Sequence, residues 1–175
     1  MSDTVRTLAA LQTLFADNSS KAISAQDLRD FLVSAMKSTV KFTEDGGIAV
    51  KLTNKTGANS VIGTAVQAGT AVDNSFELPG TDAYDITGFV YEDGIADGSE
   101  CWIVVAAVAE MLVEDSTAVS RGDLLMAGDT TSGRIMPASA IPPPTTAEHF
   151  REVGHALTGC TAGTDNTVMG IIHWN

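Results

Sequence analysis

Three histidines, two cysteines and a scatter of carboxylates are the residues of this chain with the chemistry for catalysis or metal binding. Their spacing works against both. His149, His155 and His173 form no E-x-x-H or H-x-H pair. His173 alternates with Ile171 and Met169, which makes it a packed or edge residue of a final strand. Glu110, Glu114 and Asp115 sit near enough in sequence for a carboxylate pair, but Glu114-Asp115-Ser116-Thr117 reads more simply as a turn after a strand. The acidic stretch from Tyr91 to Gly98 has the composition of a calcium loop. It lacks the D-x-[DN]-x-[DN]-G spacing and the closing Glu, so a solvated turn is expected. Arg121-Gly122-Asp123 spells an adhesion tripeptide, yet Gly122 and Asp123 already serve as a turn and a strand entry. Cys101 and Cys160 stand outside any C-x-x-C spacing and read as small apolar side chains. No G-x-S-x-G, Walker or G-x-G-x-x-G motif occurs. The expectation is a protein without catalytic residues, metal or cofactor.

The elements that would position a site are mostly strands. The stretch Val119–Ala138 predicts a hairpin: Asp123–Ala127 runs out, Gly128–Gly133 turns, and Arg134–Pro137 returns. Before it, Cys101–Val113 is long and β-branched in its first half, which predicts a strand with a bend or bulge near Ala106-Ala107. Thr39–Thr43 and Ile48–Thr53 flank the turn Glu44-Asp45-Gly46-Gly47. Val61–Val66, Ala71–Leu78 and Asp85–Tyr91 follow, and Glu152–Leu157 and Val168–Trp174 end the chain. Nine or ten short strands between turn signals predict a mainly β (α+β) fold, a compact antiparallel β-sandwich or barrel.

Two helices are expected ahead of it. Val5, Leu8, Leu11 and Phe15 recur at helical spacing over residues 4–16. Ser24 caps a second helix, with Asp27 in its first turn. Leu28, Phe31, Leu32, Ala35 and Met36 form its apolar face, and Arg29, Asp30, Ser34 and Lys37 are placed opposite. The organisation is therefore an N-terminal helical arm, residues 1–38, and a β-domain, residues 39–175. Within the latter, Pro142, Pro143 and Pro144 predict an extended, exposed loop over 140–147. Two helices of this length cannot bury their own apolar faces. Leu8, Leu11, Phe15, Leu28, Phe31, Leu32 and Met36, with the three prolines, are thus the candidate contacts with the body, another copy or a partner.

Composition narrows the partners. The apolar fraction is 44%, the charged fraction only 18%, and the net charge is −12. Residues 1–55 carry seven Lys/Arg against six Asp/Glu, whereas residues 56–175 carry three against sixteen. An acidic body repels phosphate, which argues against nucleic acid, and the near-neutral front is the better docking end. No apolar stretch approaches the roughly 20 residues of a membrane span, and Met1–Thr7 does not look like a signal. Synthesis in a cytoplasm without disulfides is expected.

In order and spacing, Asp85–Val90, Val104–Val113, Val119-x-x-Gly122-Asp123-x-Leu125, Gly133-Arg134, Val153-Gly154-x-Ala156-Leu157 and Val168–Trp174 form a pattern. It resembles the bacteriophage capsid decoration (cement) proteins over about residues 60–175. The segment Asp17–Arg29 is similar to a helical segment of several phage virion proteins, tail-fibre and spike chains included. The helical front departs from the decoration family, whose members usually begin with β structure. The resemblance implies a non-catalytic subunit on the outside of the phage head. It implies contacts with the major capsid protein and with itself, as a homotrimer at local threefold positions. A tail, baseplate or fibre-base module is the alternative reading. A carbohydrate- or cation-binding β-domain is a second.

Overall fold

In the computed structural model, residues 24–36, 40–139 and 145–173 are described. The first expected helix, with Leu8, Leu11 and Phe15, lies outside them, as do Pro142, Pro143, Pro144 and Trp174. The chain divides into two compact units, Met1–Lys41 and Phe42–Asn175.

The first unit contributes α1, Ala25–Met36. Ser24 and Asp27 close its N-terminus reciprocally. The Asp27 amide donates to Ser24 Oγ at 3.1 Å, and the Ser24 amide donates to Asp27 Oδ2 at 2.8 Å. The expected polarity of the helix is only half met. Leu28, Phe31 and Leu32 are 53%, 41% and 51% exposed, whereas Asp30, placed outward by periodicity, is buried. Its carboxylate accepts from Gln26 Nε2 at 2.8 Å, so the charge enters the interior with a partner one turn away. Periodicity locates a stripe but not which stripe is covered.

The second unit is built on one strand. The run ECWIVVAAVAEML forms a single 13-residue strand, β6, from Glu100 to Leu112. Around it are β2 (Gly47–Asn54), β3 (Ala65–Ala68), β4 (Ser75–Glu77), β5 (Ile86–Val90), β7 (Leu124–Ala127), β8 (Ile135–Pro137), β9 (Glu152–Ala156) and β10 (Thr167–Ile172). A short β1, Val40–Phe42, precedes them, and a five-residue helix, α2 (Thr146–Phe150), lies before β9. The sheet order is β1-β2-β4-β3-β5-β6-β10-β9-β7-β8, with a further pairing of β2 to β6.

That extra pairing closes β2, β4, β3, β5 and β6 into a five-stranded barrel. A ring with an odd number of strands cannot alternate direction throughout, so one pair must be parallel. It is β2–β4, where Thr53 faces Ser75 and Asn54 faces Phe76. The same parity governs the other half. β6, β10, β9, β7 and β8 are successively antiparallel, and the return from β8 to β6 is the parallel bridge between Val113 and Ile135. The expected antiparallel β-barrel is present, and the odd strand count of each ring adds one parallel pairing to it.

The first half of β6 pairs with β2 and β5, and its second half with β10. The handover is marked by the bulge expected near Ala106-Ala107. Ile48 faces Ala106 while Ala49 faces Val104, and Ala107 adopts a φ of +64°. Alternation along β6 then feeds two cores. Val66, Phe76, Val90, Cys101 and Ile103 pack together, one or two from each of β3, β4, β5 and β6. The opposite faces, through Ala49, Phe89, Trp102 and Val104, join a larger core with Met111, Leu125, Ile135, Val153 and Val168.

The β7–β8 hairpin pairs as expected, Met126 opposite Met136 and Leu125 opposite Pro137. Two other strands differ from their predicted spans. Val61–Val66 is displaced to Ala65–Ala68, because Gly63, at φ +78°, turns the chain and bonds Val90 and Leu112 through its backbone. Ala71–Leu78 shortens to Ser75–Glu77, because Asn74 takes φ +52° in a turn that Ser75 Oγ closes on the Val72 carbonyl. α2 was not expected, since residues up to 147 read as proline-rich loop. Its signal was present in Thr145-x-x-Glu148, a capping box in which the Glu148 amide donates to Thr145 Oγ1 at 3.1 Å.

Candidate functional site

The carboxylates and polar residues that suggested chemistry are mostly consumed by the framework. Asn54, buried at the end of β2, makes four hydrogen bonds. Its Nδ2 donates to the Ala58 and Ile95 carbonyls, both at 2.9 Å, and its Oδ1 accepts from the Thr56 amide and hydroxyl. Ser60 completes the lock, accepting from the Ile95 amide at 2.9 Å and donating to the Glu92 carbonyl at 2.5 Å. The Tyr91–Gly98 loop is thereby held through its backbone, as a structural turn. Glu114 is buried, and its Oε1 accepts from the Thr130 and Thr131 amides at 2.7 and 2.9 Å, filling the tip of the β7–β8 loop. Asp115 pairs with Arg134 at 2.8 Å, and Glu110 accepts from the Thr167 hydroxyl at 2.6 Å. The three carboxylates therefore serve three different partners.

Asp123 is also engaged. Its Oδ2 accepts from the Ser120 amide at 2.7 Å, capping the turn in which Gly122 has φ +90°. The Arg-Gly-Asp tripeptide is a turn. Neither cysteine forms a disulfide: Cys101 is buried in the barrel and Cys160 bridges Val119 through its backbone. No group of three His, Cys, Asp or Glu residues able to hold a metal ion occurs among the described residues.

Two histidines do meet. His155 on β9 and His173, just past β10, lie with ring centroids 5.1 Å apart and their planes tilted by 38°. Nε2 of His173 is buried without a partner. Burial, then the nearby His155, lower the His173 pKa, and Glu152 partly offsets them. A depressed folded-state pKa means that the unfolded chain binds more protons below its own value, roughly 6.5. Stability should therefore be complete above that pH and decline as pH falls through the lower folded value. A melting series between pH 7.5 and 5 should show this decline, and His173→Phe should flatten it; an unchanged slope in that variant would assign the effect elsewhere.

A site that the sequence did not indicate lies beside the β6 bulge. The mouth of the five-stranded barrel is a cavity of about 420 Å³, bounded by Leu52, the loop Ala68–Ser75, Thr87 and Val105. Thr87 and Val105 also line a second cleft of about 300 Å³, whose other walls are Ala83, Tyr84, Ile86 and Phe150 to Val153. Mouths of barrels and seams between packed units are where small-molecule sites form. Tyr84 and Phe150 are 63% and 56% exposed although large and apolar in body. Arg151 is the reverse, a cation only 8% exposed. It pairs with Asp82 at 2.6 Å through Nη1 and donates to the Ala127 carbonyl through Nη2 at 2.5 Å, while its Nε has no partner. Glu152, next along and also buried, meets His149 Nδ1 at 3.0 Å. These residues come from the approach to β5, the middle of β6 and the α2–β9 junction. Only the closed topology assembles them.

The residues expected to make contacts divide differently. Leu28, Phe31 and Leu32 share an exposed face of α1; Met36 ends the same helix. No protein-family model matches the sequence, and no curated protein does. Among solved structures the chain is similar to the head fiber gp8.5 N base in bacteriophage phi29, at 15% identity and a TM-score of 0.46, over 71% of this chain and 92% of that one.

Proposed function

We propose that this chain is a non-enzymatic structural protein of a phage virion, a decoration subunit that binds the outer surface of the head and reinforces its capsomer contacts. The observation that carries this reading is the α1 face of Leu28, Phe31 and Leu32, three large apolar side chains about half exposed on one helix, in a chain whose Glu114 and Asp115 are engaged by its own backbone and Arg134. The order of short motifs shared with decoration proteins supports it. So does the charge split, which leaves a near-neutral front to dock and an acidic body to face solvent. The partners are the major capsid protein and further copies of this chain, as a homotrimer. An interface near a thousand Å², at about 25 cal/mol per Å² of apolar area and discounted for the cost of association, suffices when repeated over a shell.

Phe31→Asp with Leu32→Asp should leave the β-domain folded, because both side chains are already exposed, and should abolish recovery of the protein with purified heads. Retained head binding would overturn the role given to this face. Quantitative mass spectrometry of virions tests location. Hundreds of copies per particle fit decoration; a few dozen or fewer would move the chain to a fibre base, baseplate or tail.

A further inference from the structure

We propose that the end of β10 is an acid-operated latch: His173 fastens it to β9 at neutral pH and releases it, in a chain that is otherwise folded, when the His155–His173 pair takes up protons. Three observations meet at this corner. The His173 amide donates to the Val153 carbonyl at 3.2 Å, next to the pairing of Ile172 with Gly154, so this residue ties the strand end to β9. Its ring centroid lies 5.1 Å from that of His155. Its Nε2 is buried without a partner. A neutral imidazole with its proton on Nδ1 leaves only a lone pair unmet there. Protonation makes both ring nitrogens donors, so the buried Nε2 becomes an N–H without an acceptor on a ring that now carries charge. A proton on His155 as well would set two like charges side by side.

The groups around the pair set the direction. From β9 come His155 and Glu152, and from α2 comes His149, whose Nδ1 meets Glu152 Oε1 at 3.0 Å. The residues that pair with this corner from other strands are uncharged: Leu124 of β7 opposite His155, and Ala107 and Val108 of β6 opposite Ile172 and Ile171. Glu152 is the negative charge that faces His173, and His149 already engages it. Burial first, and His155 second, hold the His173 ring below the ordinary imidazole range, with Glu152 offsetting them in part. The neutral ring thus belongs to the closed strand end and the charged ring to the open one. Opening takes up protons and is favoured as pH falls. Release is local. It lifts Ile172 out of the larger core and bares the β9 edge at Gly154 and His155, while Thr167–Gly170 stay paired with β6.

The test is hydrogen exchange of the full chain, read by mass spectrometry at pH 7.5 and pH 5, each rate divided by that of the unstructured chain at the same pH. Protection of the peptide holding Ile171–His173 should fall at least about fivefold in acid. It should lie below that of peptides from β3 and β5, in a chain whose circular dichroism is still that of the folded state. The variants carry different signs. His173→Phe should remove the acid effect. His155→Gln should shrink it, because a like charge is gone while burial remains. Glu152→Gln, which keeps a polar side chain of the same shape beside His149, should enlarge it, because the offsetting charge is lost. Plain fraying of a strand end would respond to none of the three. Exchange of the Ile171–His173 peptide at the same rate as the barrel peptides at both pH values would overturn the proposal, since opening would then be global. So would an acid effect that survives His173→Phe, or one that Glu152→Gln reduces. His155→Gln and Glu152→Gln read the latch even if the phenylalanine variant does not fold.

Discussion

Asn54→Asp should destabilise the protein more than Asn54→Ala, although aspartate is the closer match in shape. Nδ2 of Asn54 donates to two carbonyls, those of Ala58 and Ile95, in a fully buried position. Alanine leaves the Thr56 amide without its acceptor and reduces each carbonyl to one donor, the Ser60 amide on Ile95 and the Thr56 hydroxyl on Ala58, a loss of about 2–3 kcal/mol. Aspartate keeps the bonds from Thr56 but turns an acceptor, and a negative charge, toward two carbonyl oxygens. Its cost should reach about 4 kcal/mol or more, since a buried charge without a donor is worse than a gap. The acidic Tyr91–Gly98 loop, which Asn54 anchors through Ile95, adds to the repulsion. Urea titration at pH 7 reads both values. Lowering the pH should recover part of the aspartate deficit, because the protonated acid regains one donor. If aspartate proved no worse than alanine, the two donated bonds would not be what holds the loop.

Gly88 is the second position where a small change should have a large effect. A Cβ there would fall 2.6 Å from both Ile103 Cγ2 and the Val104 carbonyl oxygen. The carbonyl belongs to the neighbouring strand and cannot rotate away. A barrel of five strands is narrow, and its core of Val66, Phe76, Val90, Cys101 and Ile103 already fills it. Gly88→Ala should therefore cost about 2–3 kcal/mol, and Gly88→Val more, with the β5–β6 pairing forced apart. Gly80 supplies the control. A Cβ at that position meets nothing within 4 Å, so Gly80→Ala should stay within about 0.5 kcal/mol of the parent protein or gain slightly. Comparable losses at the two glycines in chemical denaturation would show that tightness at the barrel is not the cause.

What the residues disclosed in advance was local. The Gly128–Gly133 turn, the bulge near Ala106-Ala107 and the capped start of α1 each depend on a few neighbouring residues, and each was readable. Closure was not. Whether β2 returns to β6 depends on which strand edges meet, and the parallel pairing of β2 with β4 follows from a count of strands, which no single segment carries. The burial of Asp30 and the exposure of Phe31 show the same limit on a helix, where alternation is visible but the covering partner is not. The cleft lay furthest out of reach. Tyr84, Val105 and Arg151 are distant in sequence and individually unremarked, and no motif joins them.

The division of β6 between two rings has a consequence for how the chain is made. Its first half finds β2, already synthesised, as soon as it emerges, and the five-stranded barrel can close with everything it needs. Its second half, Ala107–Leu112, must wait for Thr167–Ile172, near the end of the chain. Until β10 is in place, that edge of β6, rich in Ala, Val, Met and Leu, lacks the strand it pairs with. Such an edge invites pairing with neighbouring nascent chains. Glu110, a single charge in an otherwise apolar stretch, stands in the middle of that edge, the placement expected of a residue that discourages such pairing, and in the finished fold its carboxylate accepts from the Thr167 hydroxyl.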